Sequence, residues 1–468
     1  MKTCDIIGIS DNRNQWFPPE VLQVIQGGHV FSGGRRHHEL VAPLLPADAV
    51  WIDITVPLVN IFKQYEVVEH VVIFASGDPL FFGFANTVQR EMPKAEIRLF
   101  PSFNSIQMLA HRLLLPYDDL RVVSLTGRPW PEFDRALIER APKIGVLTDR
   151  EHTPAAIARR MLDYGYTFYT MHIGEHLGNP DLERVTTLSL AEAATHTFAS
   201  PNCLLLCTGT PTSPSLPNHP RLSTPTSPSL PNHPLLSVGS GNATAISPLR
   251  PFGLPDSSFA HLDGREKMIT KMPIRLLTLQ ALDLPRRHVL WDIGFCTGSI
   301  SIEARLLFPH LHVVAFEIRP ECEALIRQNA RRHGAPGIEV HMGDFCALCN
   351  DVAAPVSHPD AAYATVPVGS PTGLLPSFPA PDAIFIGGHG GKLREIMAQA
   401  AEALLPGGII VMNSVTSTVV DRLTDHRPSS RQLFDEACVQ LGLQQEAPIH
   451  IQLDDYNPIE ILKATKAS

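Results

Sequence analysis

The sequence predicts an α/β protein of two modules, and three observations carry that expectation. Strand-length apolar runs alternate with helix-period segments after residue 289, and a separate strand-to-glycine connection, VVIFAS into GDPLFFG, occupies 71–83. Between them lies a proline-rich direct repeat, TPTSPSLPNHPRLS (210–223) followed by TPTSPSLPNHPLLS (224–237). No helix or strand survives that proline density, so 210–248 reads as a linker between a module at 1–209 and one at 249–468. At 468 residues the chain is long for one domain, and its 44% apolar, 18% charged composition suffices for more than one core.

In the first module, Gly77 and Gly83 permit the chain to turn after the strand, and Asp78-Pro79 reads as a turn or helix start. A second unit follows: the strand EIRLFP, then SFNSIQMLAHRLL, where Ser102 or Asn104 caps a helix with Ile106, Leu109 and Leu113 inward. VVSLTGR (122–128), IGVLTDREHTPAAIARRML (144–162) and GEHLGNPDLERV (174–185) continue the alternation. The stretch FSGGRRHHEL (31–40) concentrates Arg35, Arg36, His37 and His38, a local cationic patch in a chain of net charge −9.

The second module opens with the helix ITKMPIRLLTLQALDL, in which Lys271 and Arg275 lie four apart and suit a carboxylate. The strand VLWDIG, a helix over 299–308, the strand VVAFEI, the helix PECEALIRQNARRHG and the strand IEVHMGDF follow in turn. A Pro-rich insertion (about 350–380) delays the strand DAIFIGG, after which come the helix KLREIMAQAAEALL and the strand GGIIVMNSV. This alternation predicts a mostly parallel sheet covered on both faces, with ligands at the C-terminal ends of its strands.

The glycine turn after VLWDI reads D-x-G-x-x-x-G, with Cys296 where a dinucleotide fingerprint has its middle glycine. A nicotinamide-dependent oxidoreductase is therefore the weaker of two cofactor readings. S-adenosylmethionine carries a sulfonium and an amine instead of a pyrophosphate, so acids suit it. Asp292 would serve the amine, Glu317 the ribose diol and Asp344 the adenine amino group. Strand-end acids also cap helices, but three on three consecutive strands favour a site.

These residues also carry a resemblance. FGLPDSSFAH, ITKMPIR, LWDIGFCTGSISIEA, IFIGGHGG and LPGGIIVMNSVT, in that order, resemble the class I C-15 methyltransferase and decarboxylase module of cobalamin biosynthesis. The resemblance implies a Rossmann-like methyltransferase fold. It assigns S-adenosylmethionine contact to Thr270, to the turn Gly294, Phe295, Cys296, Thr297 and Gly298, and to Glu317, Asp344 and Phe345. Phe295-Cys296 departs from the family's small residue plus glycine. The ordered series of the first module resembles the tetrapyrrole methylase family, whose fold has two α/β lobes with the cofactor in the cleft between them. That resemblance assigns Gly77, Asp78, Phe81, Asn104, Ser105, Leu147 and Thr148 to the cofactor. The first loop, GISDNRNQWFPPE (8–20), departs from the family's GxGPG-like turn, and Asp11 is the residue placed to take over part of its role.

Together the resemblances imply S-adenosylmethionine-dependent methylation of a corrin precursor at meso carbons 5 and 15, with decarboxylation of an acetate. The alternative is an active second module beside a first module that only binds the corrinoid. Polycarboxylate substrates call for local cations, and Arg35, Arg36, Lys271, Arg275 and His389 are the substrate-side candidates. Catalysis would rest on positioning and desolvation, and no catalytic nucleophile or acid–base dyad is expected. The net charge argues against nucleic acid, no run approaches a membrane span, and the start MKTCDIIGIS lacks a signal peptide. Eight scattered cysteines, with Cys346 and Cys349 in a single CxxC, suit a cytoplasmic protein without a metal site. The expected partner is the small-molecule corrinoid, and the expected assembly a homo-oligomer.

Overall fold

A computed structural model describes residues 2–208, 250–265, 268–350, 378–415, 428–453 and 457–467. The proline-rich linker and all but the ends of the 350–380 insertion lie outside the described residues. The chain forms two compact units: Met1–Val122, Pro142–Thr148 and Phe168–Arg250 in one, and Val123–Ala141, Asp149–Thr167 and Pro251–Ser468 in the other. The helices Pro131–Ile138 and Pro154–Asp163, expected within the first module, thus group with the second unit. There the buried carboxylate of Asp134 accepts both Nε (2.7 Å) and Nη2 (2.6 Å) of Arg160. The Tyr166 hydroxyl donates to the Gly334 carbonyl at 2.7 Å.

Ten strands are described up to residue 208, all in the first unit except β6, which crosses the boundary after Val122: β1 (Thr3–Ile9), β2 (Val30–Gly33), β3 (Val50–Asp53), β4 (His70–Ser76), β5 (Glu96–Phe100), β6 (Arg121–Ser124), β7 (Lys143–Leu147), β8 (Tyr169–Glu175), β9 (Arg184–Ser189) and β10 (Asn202–Thr208). Five make a parallel sheet in the order β3-β2-β4-β1-β5. The other five run β6-β7-β10-β8-β9, with antiparallel pairing of β10 to β7 and β8 and of β8 to β9. β1 is buried almost end to end, as a strand covered on both faces must be. Its alternate residues feed two cores: Ile6 joins Ile73, Ile61 and Tyr65, while Ile7 joins Val72, Phe74 and Phe31.

The second unit carries β11 (Val289–Ile293), β12 (His312–Glu317), β13 (Ile338–Met342), β14 (Ala383–Ile386), β15 (Ile409–Val415), β16 (Gln444–Gln445), β17 (Ile449–Ile451) and β18 (Ile459–Thr465). Their order is β13-β12-β11-β14-β15-β18-β16, with β17 also paired to β18. The first five strands are parallel, and β18 is antiparallel to its neighbours β15, β16 and β17. This is the mostly parallel sheet that the alternation predicts. Trp291, Ile293, Val314, Phe316 and Ile384 pack one face; Leu290, Val313, Phe385 and Val411 pack the other. The winding reverses between β11 and β14, which opens a crevice at the C-terminal ends of those strands.

Candidate active sites

In the second unit the site begins where β11 ends. Gly294 (φ +77°), Cys296 (φ +50°) and Gly298 (φ +74°) all take left-handed backbone, and Gly298 opens the helix Ser299–Leu307. A Cβ on Gly294 would lie 2.7 Å from both N and O of Gly388, so the loops after β11 and β14 touch backbone to backbone. Cys296 meets the same backbone demand without being glycine, a conformation that costs a side-chain residue about 1–2 kcal/mol. Its amide donates to Glu317 Oε2 at 3.0 Å, and its thiol to the Met268 carbonyl at 3.3 Å.

The three strand-end acids occupy different environments. Asp292 is buried; its Oδ2 accepts the Ser301 hydroxyl (2.5 Å) and amide (3.2 Å), while its Oδ1 has no partner. One oxygen therefore caps the helix, and the other is buried and unpaired. Burial pushes this carboxyl up to about 7, opposed by the Ser301 hydrogen bonds. Glu317 accepts the amides of Cys296, Ile318 and Arg319, and also the Nε (3.0 Å) and Nη2 (2.7 Å) of Arg319. Burial alone would raise Glu317, yet the Arg319 contacts hold it below the ordinary glutamate value. Asp344 is ion-paired with Lys392, which lowers its pKa.

Two cavities flank the turn. One, of about 380 Å³, is lined by Glu317, Asp344, Phe345, His389 and Lys392 among others. The other, of about 490 Å³, is lined by Thr270, Lys271, Asp292, Phe295, Thr297 and Asn413 among others. Met268, Gly294, Arg319 and Gly388 belong to both. Asn413 Nδ2 is buried without a hydrogen-bond partner, and its Oδ1 accepts the Thr278 hydroxyl at 3.1 Å. These polar groups fit a nucleoside with a charged amine. Glu317 lines the smaller cavity and Asp292 the larger.

Arg275 corrects the substrate-side expectation. It is fully buried, and it donates to Glu303, to Asp256 Oδ1 (3.2 Å) and to the carbonyls of Leu254 and Thr270 (2.7 Å for the latter). Its guanidinium lies over the Phe259 ring at 5.1 Å. The arginine thus ties FGLPDSSFAH and ITKMPIR to the helix SISIEARLL, and it is closed to substrate. Lys271 immediately precedes the helix Met272–Ala281, so it shares no helix face with Arg275; its cavity position stands. His389 lines the smaller cavity with Nε2 3.0 Å from the Ser430 hydroxyl, and burial lowers its pKa.

In the first unit the corresponding place is built mainly of backbone. A Cβ on Gly8 would collide with the Gly77 carbonyl and lie 2.8 Å from Ser102 N; one on Gly77 (φ +62°) would lie 2.8 Å from Asn104 Cα. The ends of β1, β4 and β5 therefore converge with no space for side chains. Asn104, not Ser102, caps the helix Ser105–Leu113: its Oδ1 accepts Gln107 N at 2.9 Å, and Gln107 Oε1 accepts Asn104 N at 3.1 Å. Asp78 Oδ1 accepts Leu80 N at 2.9 Å. Phe81 and Leu147 pack on the same cluster as Ile106 and Cys203, and Cys203 donates to the Ser105 carbonyl at 3.4 Å. The Thr148 hydroxyl lies 2.6 Å from the Asn202 carbonyl. The fold thus gathers Gly77, Phe81, Asn104, Ser105, Leu147 and Thr148 around one helix start.

Beside them stands a polar cluster only partly expected. Asp11, almost buried, accepts Arg36 Nη1 at 2.7 Å and lies 3.2 Å from His176 Nδ1. Arg36 Nη2 donates to the Ser76 hydroxyl (3.1 Å), which also lies 2.8 Å from His37 Nε2. Burial, with Arg36 adding, lowers His37 to about 4, so the ring is neutral. Arg35 is not in this cluster; its exposed side chain pairs with Glu39 one helical turn on. Sequence reasoning missed Ser76 and His176 here, and Arg319, Lys392 and Asn413 in the second unit. Only Arg319 and Lys392 left a signal, being cations close to Glu317 and His389. Among the described residues, no helix is long and apolar enough to cross a membrane, and no group of three or more His, Cys, Asp and Glu side chains is placed to hold a metal ion.

Residues 1–194 match the tetrapyrrole (corrin/porphyrin) methylases, and residues 259–365 match the precorrin methyltransferase domain. The chain is 32% identical over 426 residues to a Sinorhizobium protein named precorrin-6Y C(5,15)-methyltransferase (decarboxylating), covering 90% of this chain and 86% of that one. A cobalt-precorrin-6B C(15)-methyltransferase (decarboxylating) of Salmonella typhimurium is 31% identical over 188 residues, 40% of this chain and 83% of its own. A cobalt-precorrin-7 C(5)-methyltransferase of the same organism is 24% identical over 172 residues, 37% of this chain and 84% of its own.

Proposed function

The chain belongs to the family of precorrin-6Y C(5,15)-methyltransferases (decarboxylating), and from that membership we propose how its two sites divide the work. The chain methylates a precorrin at carbons 5 and 15 and removes a carboxyl group, in cobalamin biosynthesis. The observation that carries this reading is the similarity to one bifunctional relative over 90% of the chain, through both modules. It disfavours a first module that only binds the corrinoid.

S-adenosylmethionine supplies the electrophilic methyl group in both reactions. In the second unit Glu317 would hold the ribose diol, Asp344 and Phe345 the adenine, and the unpaired Oδ1 of Asp292 the amine, with Gly294 to Gly298 forming the floor. In the first unit Gly77, Asp78, Phe81, Asn104, Ser105, Leu147 and Thr148 would surround the cofactor, mainly with backbone, because the Asn104 side chain is committed to its cap. Arg36, paired with Asp11, and Lys271, 3.9 Å from Asp256, are the cations that would meet corrinoid carboxylates. Catalysis is positioning and exclusion of water.

The test supplies the intact protein with precorrin-6Y and S-adenosylmethionine deuterated in its methyl group. Mass spectrometry should find two labels and one lost CO2 in the product. A single label after complete turnover overturns the two-site reading.

A further inference from the structure

Arg319 is the only charged residue among the four that line both cavities of the second unit. Its guanidinium lies on the carboxylate to which the ribose has been assigned. Glu317 receives five hydrogen bonds on its two oxygens, three from backbone amides and two from Arg319. The three amides are fixed by the turn and by the end of β12, so the guanidinium is the removable pair. A ribose diol offers the same two parallel donors as an arginine fork, and both cannot occupy the same oxygens. The remaining nitrogen, Nη1, lies 3.8 Å from Met268 Sδ, and the guanidinium also neighbours the Cys296 thiol. A displaced guanidinium needs a new anion. The adjoining cavity, lined by Lys271 and Asn413, is where a polycarboxylate substrate brings one.

Resting on the function proposed above, we propose that Arg319 is a substrate-carboxylate ligand held in reserve on Glu317. The methyl donor's ribose takes its place on Glu317, and the freed guanidinium pairs with a corrinoid carboxylate in the adjoining cavity. Donor and corrinoid then bind cooperatively, and by linkage each strengthens the other by the same factor. Arg319 is a specificity residue for the acceptor, acting through the cofactor's arrival, and takes no part in the bond changes.

Calorimetric titration of the intact chain with S-adenosylhomocysteine, with and without uroporphyrin III as an unreactive polycarboxylate, tests this. The binding step lost in Asp292→Asn identifies the second unit's site. For the wild type, uroporphyrin should strengthen that step about tenfold. Arg319→Gln should bind S-adenosylhomocysteine about fivefold tighter than wild type when the porphyrin is absent, with no pair to break, and should lose the porphyrin's effect. Arg319→Lys, which lacks the fork, should fall between them. A merely structural arginine would not tighten binding when removed. Unchanged or weaker binding by Arg319→Gln, or a porphyrin effect that survives the substitution, overturns the proposal. Absence of any Asp292-dependent step in the wild type overturns instead the assignment of the site to the methyl donor.

Discussion

At the ends of β1, β4 and β5 the first unit presents backbone, whereas at the ends of β11, β12 and β13 the second unit presents carboxylates. Gly8, Gly77 and the Asn104 cap leave no space for a side chain at the first place. Asp292, Glu317 and Asp344 stand at the second, two of them already paired with Arg319 and Lys392. The two strand-end regions thus offer a ligand different chemistry. A backbone site is vulnerable to added volume, while a carboxylate site is vulnerable to lost charge and coupled to protons. Substitutions should therefore separate the two activities by kind as well as by place.

The largest effect expected is at Gly8. Its Ala variant forces a methyl group against the Gly77 carbonyl, and no flexible side chain is available to yield. Methylation at carbon 5 should fall more than about 100-fold, with a stability loss on the order of 3 kcal/mol in chemical denaturation. Product analysis by mass spectrometry should find carbon 15 still methylated. Near-normal methylation at carbon 5 would break the contrast at its first term.

A smaller effect, with its own pH signature, is expected at Asp292. Its folded-state pKa is about 7 against about 3.9 unfolded, so between those values the folded chain holds a proton that the unfolded chain has released. The stability contributed is complete below about pH 4 and is lost as pH rises through about 7. Binding of the donor's ammonium to the ionised form reverses that trend for affinity. S-adenosylhomocysteine should bind the second unit's site about tenfold more tightly per pH unit up to about 7, then level off. Asp292→Asn should flatten both profiles and weaken binding roughly 30-fold at pH 8. Calorimetry across pH separates these outcomes, and a flat wild-type profile would count against Asp292 as the ammonium's partner.

The smallest effect expected runs in the opposite direction to Gly8. Cys296 bears the left-handed strain that glycine would not, so Cys296→Gly should gain about 0.5 kcal/mol, the relieved strain being partly offset by the entropy of an added glycine. A rise in melting temperature checks it, and a fall would mean that the thiol contact with Met268 outweighs the strain.

Much of this was legible in the chain because local chemistry sets it. Strand-length apolar runs ending in Gly77 and Gly294 marked the sheet ends, and Asn104 was one of two candidate helix caps, beside Ser102. Asp292, Glu317 and Asp344 were each found at a strand end. Partnerships made by the fold alone were not legible. The helical offset from Lys271 to Arg275 suggested one exposed pair, yet Arg275 is buried because Glu303, Asp256 and two carbonyls converge on it from three other segments. Arg35 and Arg36 are adjacent in sequence, but the helix Arg35–Val41 points one at Glu39 and the other at Asp11. The occupation of Glu317 by Arg319, two residues on, required the tight turn after β12 to be seen.

The claim that each unit carries its own methyl-transfer site is tested most directly by complementation. Gly8→Ala and Asp292→Asn proteins are assayed separately and then mixed, with precorrin-6Y and methyl-deuterated S-adenosylmethionine. Neither variant alone should form the doubly labelled, decarboxylated product at more than a few per cent of the wild-type rate. The mixture should restore it, whichever methylation comes first, because each protein supplies the site the other lacks. A mixture no more active than its components, with both proteins folded, would contradict two independent sites.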